Sequence, residues 1–145
     1  MRTIRNAVVA SLLATLGSAF VARAQAGGTT SAPHTIIVKL VEQAGPVPYG
    51  FEPSAFTAEP GDTVKFVQAA SVLHNVHFKA VPKGAKLGSA AVSQYLTAKG
   101  QSTSLVIDSR FVDGKYEIVC DPHEMIGMHA FLTVEERPAS AGGTK

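Results

Sequence analysis

Cys120-Asp121-Pro122-His123-Glu124-Met125-Ile126-Gly127-Met128 carries the single cysteine of a 145-residue chain, three residues before a histidine and eight before a methionine. A thiolate, an imidazole and a thioether on one short loop are donors that copper takes in preference to harder cations. Met125 and Met128 compete for the weak thioether position, and the loop by itself leaves both open. It supplies only one histidine, so a trigonal set of two imidazoles and a thiolate needs a second from elsewhere in the chain.

Outward from this loop, the chain reads as short apolar stretches separated by turn residues. Strands are expected over 35–41, 56–58, 63–68, 72–81, 102–108, 114–120 and 130–135, with Glu59-Pro60-Gly61-Asp62 a strong turn between two of them. Thr63 to Gln68 alternates, with Val64 and Phe66 on one face and Lys65 on the other. Residues 82–100 carry Pro82, Gly84, Gly88 and Gly100 and read as a long connection, with a single helical turn around 90–96. This pattern predicts an all-β, two-sheet Greek-key sandwich over 35–136. There is no internal repeat and no second domain.

Strand alternation selects the second histidine from His34, His74, His77 and His129. In Val72-Leu73-His74-Asn75-Val76-His77-Phe78, His74 shares its face with Val72, Val76 and Phe78, which is the core-directed face. His77 falls on the opposite face with Asn75 and Lys79, toward water. Tyr116, Ile118 and Cys120 share parity, which aims the thiol inward at the end of its strand. His74, Cys120 and His123 are therefore the expected nitrogen and sulfur ligands. A lone inward histidine is more often a hydrogen-bonded core residue than a ligand; the cysteine-containing loop reverses that weighting. His34, His77 and His129 read as solvated positions, and so do Lys115, Asp121 and Glu124.

Residues 1–26 read as a Sec-type signal peptide preceding the fold. Arg2 and Arg5 open it, an apolar run from Ala7 to Val21 follows, and Ala22-Arg23-Ala24 and Ala24-Gln25-Ala26 both fit the cleavage pattern. The run falls short of the about 20 apolar residues a membrane span needs. A periplasmic or otherwise exported protein with no stable membrane insertion after cleavage is expected, with a flexible spacer over 27–34 and a disordered tail over 137–145. The full chain has 13 basic and 11 acidic residues, but Arg2, Arg5 and Arg23 lie in the signal, so the mature chain is close to neutral. Its charge gives no reason to expect nucleic acid as a partner. A lone cysteine cannot form an internal disulfide, and in an oxidising compartment a free thiol is a hazard unless a metal binds it.

The chain resembles the small blue-copper proteins, the cupredoxins of the plastocyanin and pseudoazurin type. Pro60-Gly61-Asp62-Thr63-Val64-Lys65-Phe66, His74-Asn75-Val76, Gly114-Lys115-Tyr116-Glu117 and the Cys120–Met128 loop carry the resemblance, in the family's order, across 35–136. It implies eight strands in two sheets with one copper ion near one end. It further implies His74, Cys120 and His123 as equatorial ligands and Met128 as the axial one, leaving Met125 as an apolar rim residue. Asn75 would hydrogen-bond across to the ligand loop, its backbone N–H would donate to the sulfur, and Pro122, without an N–H, could not supply a second such bond. The implied function is electron transfer by a mononuclear type 1 site cycling between Cu(II) and Cu(I), in a soluble monomer working between redox protein partners. Pro122, Met125 and Ile126, joined by Pro46, Pro48 and Phe51, would form an apolar docking patch around His123. Val119 stands where plastocyanin has a tyrosine, so a photosynthetic partner does not follow.

Three other readings fit less of the sequence. A copper carrier or storage protein on the same fold would hold the metal without passing electrons. An enzyme using Cys120 as a nucleophile leaves Met128 idle and lacks an orienting third group, so no enzymatic activity is expected. A structural zinc site has no use for a thioether.

Overall fold

The structure, a computed structural model, describes residues 32–136. The expected signal peptide over 1–26, most of the expected spacer over 27–34 and the expected tail over 137–145 lie outside the described residues. Eight strands follow in order: β1 (Thr35–Glu42), β2 (Tyr49–Glu52), β3 (Ala55–Ala58), β4 (Thr63–Gln68), β5 (His77–Ala80), β6 (Ser102–Val106), β7 (Gly114–Val119) and β8 (His129–Val134). Two short 3₁₀ turns, Gly88–Ala91 and Asp121–Ile126, interrupt the connections. One sheet has the order β2-β1-β4-β6 and the other β3-β8-β7-β5. The pairs β1–β4 and β3–β8 are parallel, and the remaining neighbours are antiparallel. This is the expected all-β, two-sheet sandwich. The β7–β8 pair is joined by the 120–128 loop, and the chain enters β5 after crossing over from β4 in the other sheet.

Two departures from the sequence reading matter. β2 is the first: its four residues include Gly50 and sit between Pro48 and Pro53, so local propensity is weak. Antiparallel register with β1, pairing Leu40 with Phe51 and Glu42 with Tyr49, makes the strand. The expected strand over 72–81 is reduced to β5, and His74 lies outside it. Other groups occupy the backbone there: Gln68 Nε2 donates to the Val72 and Leu96 carbonyls, and Ser93 Oγ accepts from Val76 N–H. Ser93 N–H donates to Val76 C=O, and His74 and Leu96 exchange backbone bonds. The helical turn expected over 90–96 forms earlier, at Gly88–Ala91, because 93–96 is drawn into these contacts.

The core forms where the alternating residues of both sheets meet. Val38, Leu40, Val64 and Phe66 face Tyr116, Ile118, Ala130 and Leu132, all essentially inaccessible to water. Phe66 makes edge-to-face contacts with Phe51, Phe56 and Phe78, and Phe78 does so with Phe111 and Tyr116; such pairs contribute about 0.5–1.5 kcal/mol each beyond area burial. Tyr116 is buried, and its hydroxyl donates to Val112 C=O at 2.7 Å while accepting from Val112 N–H at 2.8 Å. Both bonds pin the approach to β7, the strand that ends at Cys120. Tyr116→Phe is expected to cost about 1–3 kcal/mol by stranding these backbone groups. Urea unfolding of the metal-free protein checks this, and an unchanged midpoint would contradict it.

Candidate metal centre

The 120–128 loop closes on itself at its neck. Cys120 N–H donates to Met128 C=O at 3.3 Å, and His123 N–H returns to Cys120 C=O at 2.9 Å. Between them runs the 3₁₀ turn Asp121–Ile126, with Pro122 in its first positions, where a missing N–H costs nothing. Gly127 ends the turn at φ 93°, and a Cβ there would stand 3.2 Å from Val47. Glycine therefore serves both the left-handed turn and the close approach of the 43–48 loop.

His74 reaches the same point from the β4–β5 connection. Its backbone is held by the bridge to Leu96. Its Nδ1 lies 3.4 Å from Cys120 Sγ, His123 Nδ1 lies 3.4 Å from the same sulfur, and the two nitrogens are 3.1 Å apart. The centre of such a triangle is roughly 2 Å from each corner, close to a metal–imidazole bond length of about 2.0–2.1 Å. Among the described residues this is the group of His, Cys and acidic side chains arranged to hold an ion. Two imidazoles and a thiol are the donor chemistry of a copper site, so the residues fit the metal. Met128 is fully buried and packs in the same core cluster as Cys120, whereas Met125 is 95% exposed. His77 and His129 stand outside the group: His77 faces Asp121 and His129 faces Glu117.

Burial sets the protonation of the metal-free site. Desolvation, then the neighbouring His123, pushes His74 down to about 4, with Glu42 opposing weakly. Burial lowers His123 as well. The Cys120 thiol is pushed up by desolvation, while the backbone N–H groups of Asn75 and His123 hydrogen-bond toward the sulfur and oppose the rise. Without metal the site therefore holds neutral imidazoles and a protonated thiol, and a metal must displace the thiol proton on binding.

Three residues depart from their sequence reading. Strand parity puts Asn75 on the water-facing side with His77, yet it is 1% exposed and bonds across to the ligand loop as the resemblance implies. Leaving the strand early removes the strict alternation, and Asp121 receives its side chain: Asn75 Nδ2 donates to Asp121 Oδ2 at 2.6 Å, and Asp121 N–H donates to Asn75 Oδ1 at 2.9 Å. Asp121 is accordingly more than a solvated charge. Phe51, expected at the docking rim, is buried in the core at 3% exposure. Tyr49, two positions earlier in the same strand, packs on both imidazoles instead, with ring centroids 4.4 Å from His123 and 5.3 Å from His74. Nothing in the sequence points to Tyr49, because the strand that presents it exists only through pairing with β1.

Residues 38–135 match the family model of copper-binding proteins of the plastocyanin/azurin type. The chain belongs to the plastocyanin/azurin family. It is 36% identical over 102 residues to a plastocyanin of Scenedesmus fuscus, covering 69% of this chain and 99% of that protein. It is 34% identical over 101 residues to a plastocyanin of Ulva prolifera, covering 68% and 98%. Among solved structures, oxidised plastocyanin from Dryopteris crassirhizoma superposes with a TM-score of 0.56 at 25% identity, over 68% of this chain and 99% of that one. The reduced state of an amicyanin mutant gives a TM-score of 0.51 at 26% identity, over 70% and 82%. The plastocyanin/azurin cupredoxins are copper-binding electron carriers rather than enzymes, copper is the cofactor of the family, and this chain brings His74, Cys120 and His123 together.

Proposed function

We propose that this cupredoxin carries single electrons between redox protein partners through one copper ion held by His74, Cys120, His123 and, as the weak axial donor, Met128. The observation that carries the proposal is the convergence of two Nδ1 atoms and one Sγ, from segments 46 residues apart, within 3.4 Å of one another. Copper, when bound, supplies a one-electron couple between its divalent and monovalent states. The chain supplies rigidity and dryness. His74, Cys120 and Met128 are closed to water, which holds the donors in one arrangement that suits both oxidation states.

His123 is the ligand nearest the surface, partly exposed, with Pro122, Met125 and Ile126 around it. Met125 at 95% and Ile126 at 44% exposure make an apolar rim suited to brief docking, since electron-transfer encounters bury less than about 1,200 Å². Residues 1–26 are the segment proposed to direct export, giving a soluble monomer outside the cytoplasm.

Copper loading of the purified, oxidised protein tests the function. An intense visible thiolate-to-copper band that bleaches on reduction and returns on reoxidation is expected. A band without reversible cycling would favour a copper carrier or store, and no visible band would exclude thiolate-bound copper.

A further inference from the structure

We propose that His77 is a positioning residue for the metal centre, acting through Asp121 and Asn75; the inference rests on the copper reading above. Asn75 follows His74 directly, and Asp121 follows Cys120 directly, so their two mutual hydrogen bonds tie together the segments that present the buried imidazole and the thiol. The tie has a weak side. Asn75 is buried, but the Asp121 carboxylate is 37% exposed and would swing into water if only one of its oxygens were held. His77 holds the other one. Its Nδ1 lies 2.6 Å from Asp121 Oδ1 while Oδ2 takes the Asn75 amide, so each oxygen has its own partner and the plane of the carboxylate is set.

The register of the elements makes this placement systematic. His77 and Lys79 alternate onto the same outward face of β5, and Asp121 and Glu124 fall three apart on one face of the 3₁₀ turn. His77 meets Asp121, and Lys79 meets Glu124 at 3.0 Å. The outward face of β5 therefore grips the ligand turn at two points. Backbone pairing fixes His77 itself, opposite Val119 of β7 on one side and bridged to Val92 on the other. The strand is a rigid anchor, and the turn is the part being positioned. Asn75 in turn directs its backbone N–H toward the Cys120 sulfur. A loosened Asn75 would therefore be felt as a weaker hydrogen bond to the thiolate, and groups beyond the ligands tune metal sites in this way.

His77→Ala and His77→Asn test the idea, because the asparagine amide nitrogen can stand near the position of Nδ1 and donate without a ring. In the metal-free protein, exchange of the Asn75 side-chain amide protons, followed by NMR, should quicken about tenfold in His77→Ala. In the copper-loaded protein the same variant should bind copper about tenfold more weakly, at the lower end of the effect of lost outer partners, and its midpoint potential should fall. His77→Asn should restore all three. Wild-type amide exchange and wild-type potential in His77→Ala would overturn the role of His77. A wild-type chain that takes no copper, with Asn75 exchange still quickened by His77→Ala, would instead remove the copper reading and with it the metal half of this inference.

Discussion

Cys120→Ala is expected to yield a folded protein that lacks an intense visible band and binds copper more than about 100-fold more weakly. The loss must exceed the 10–100-fold typical of outer partners, because the thiolate is the one soft anionic donor the site has. The charge-transfer band belongs to the copper–sulfur bond and cannot survive without the sulfur. The fold should survive, since alanine removes one atom from a position already closed to water, and a small cavity costs on the order of 1 kcal/mol. Tyr116, Ile118 and the β7–β8 register remain to hold the loop neck. Visible absorption, a chelator competition and a thermal melt of the metal-free variant check the three parts separately. A retained band would place the thiolate ligand elsewhere, and this chain has no other cysteine.

The metal-free protein should be acid-labile through His74. Its folded pKa of about 4 lies below the ordinary 6.5 because burial opposes the charged ring. The unfolded chain therefore takes up a proton first as pH falls, and stability present above pH 6.5 is lost progressively down to about pH 4. At about 1.4 kcal/mol per unit, the displacement amounts to a loss on the order of 3 kcal/mol. His123 is lowered by burial too and adds in the same direction. Cys120 closes the range from the other side. Its thiol is raised in the fold, so its contribution is present below the ordinary 9.0 and is lost as pH rises through the folded value. Copper bound at these groups would steepen the acid limb, because holding the neutral imidazoles lowers their folded pKa further, and would reverse the alkaline limb, because it holds the thiolate. Urea midpoints at about pH 7.5, 5.5 and 4.5, with and without copper, measure this. A metal-free protein equally stable at all three pH values would contradict it, and His74→Gln should flatten the acid limb.

The donor loop was legible because everything that identifies it is local. Cys120, His123 and Met128 sit on one short segment, and the parity of Tyr116, Ile118 and Cys120 shows the thiol facing inward before any partner strand is known. The strand over 63–68 was legible for the same reason, since Val64 and Phe66 alternate with Lys65 whatever they pair with. The structure also brings His74 to this loop, as strand alternation predicts. The segment is not the continuous strand that alternation assumes, and Asn75, placed outward by that logic, is buried beside it.

By itself, then, the amino-acid order determined the candidate donor atoms, their spacing and the sandwich that presents them, because hydrophobic alternation and ligand type are written residue by residue. Only the tertiary structure decided that Tyr49 packs on both imidazoles, that Asp121 is the loop residue which receives Asn75, and that His77 reaches the same carboxylate across 44 residues of chain. Those contacts arise from sheet register and from side chains that occupy backbone groups out of turn. Register is a relation between distant strands, so no reading along one strand can contain it.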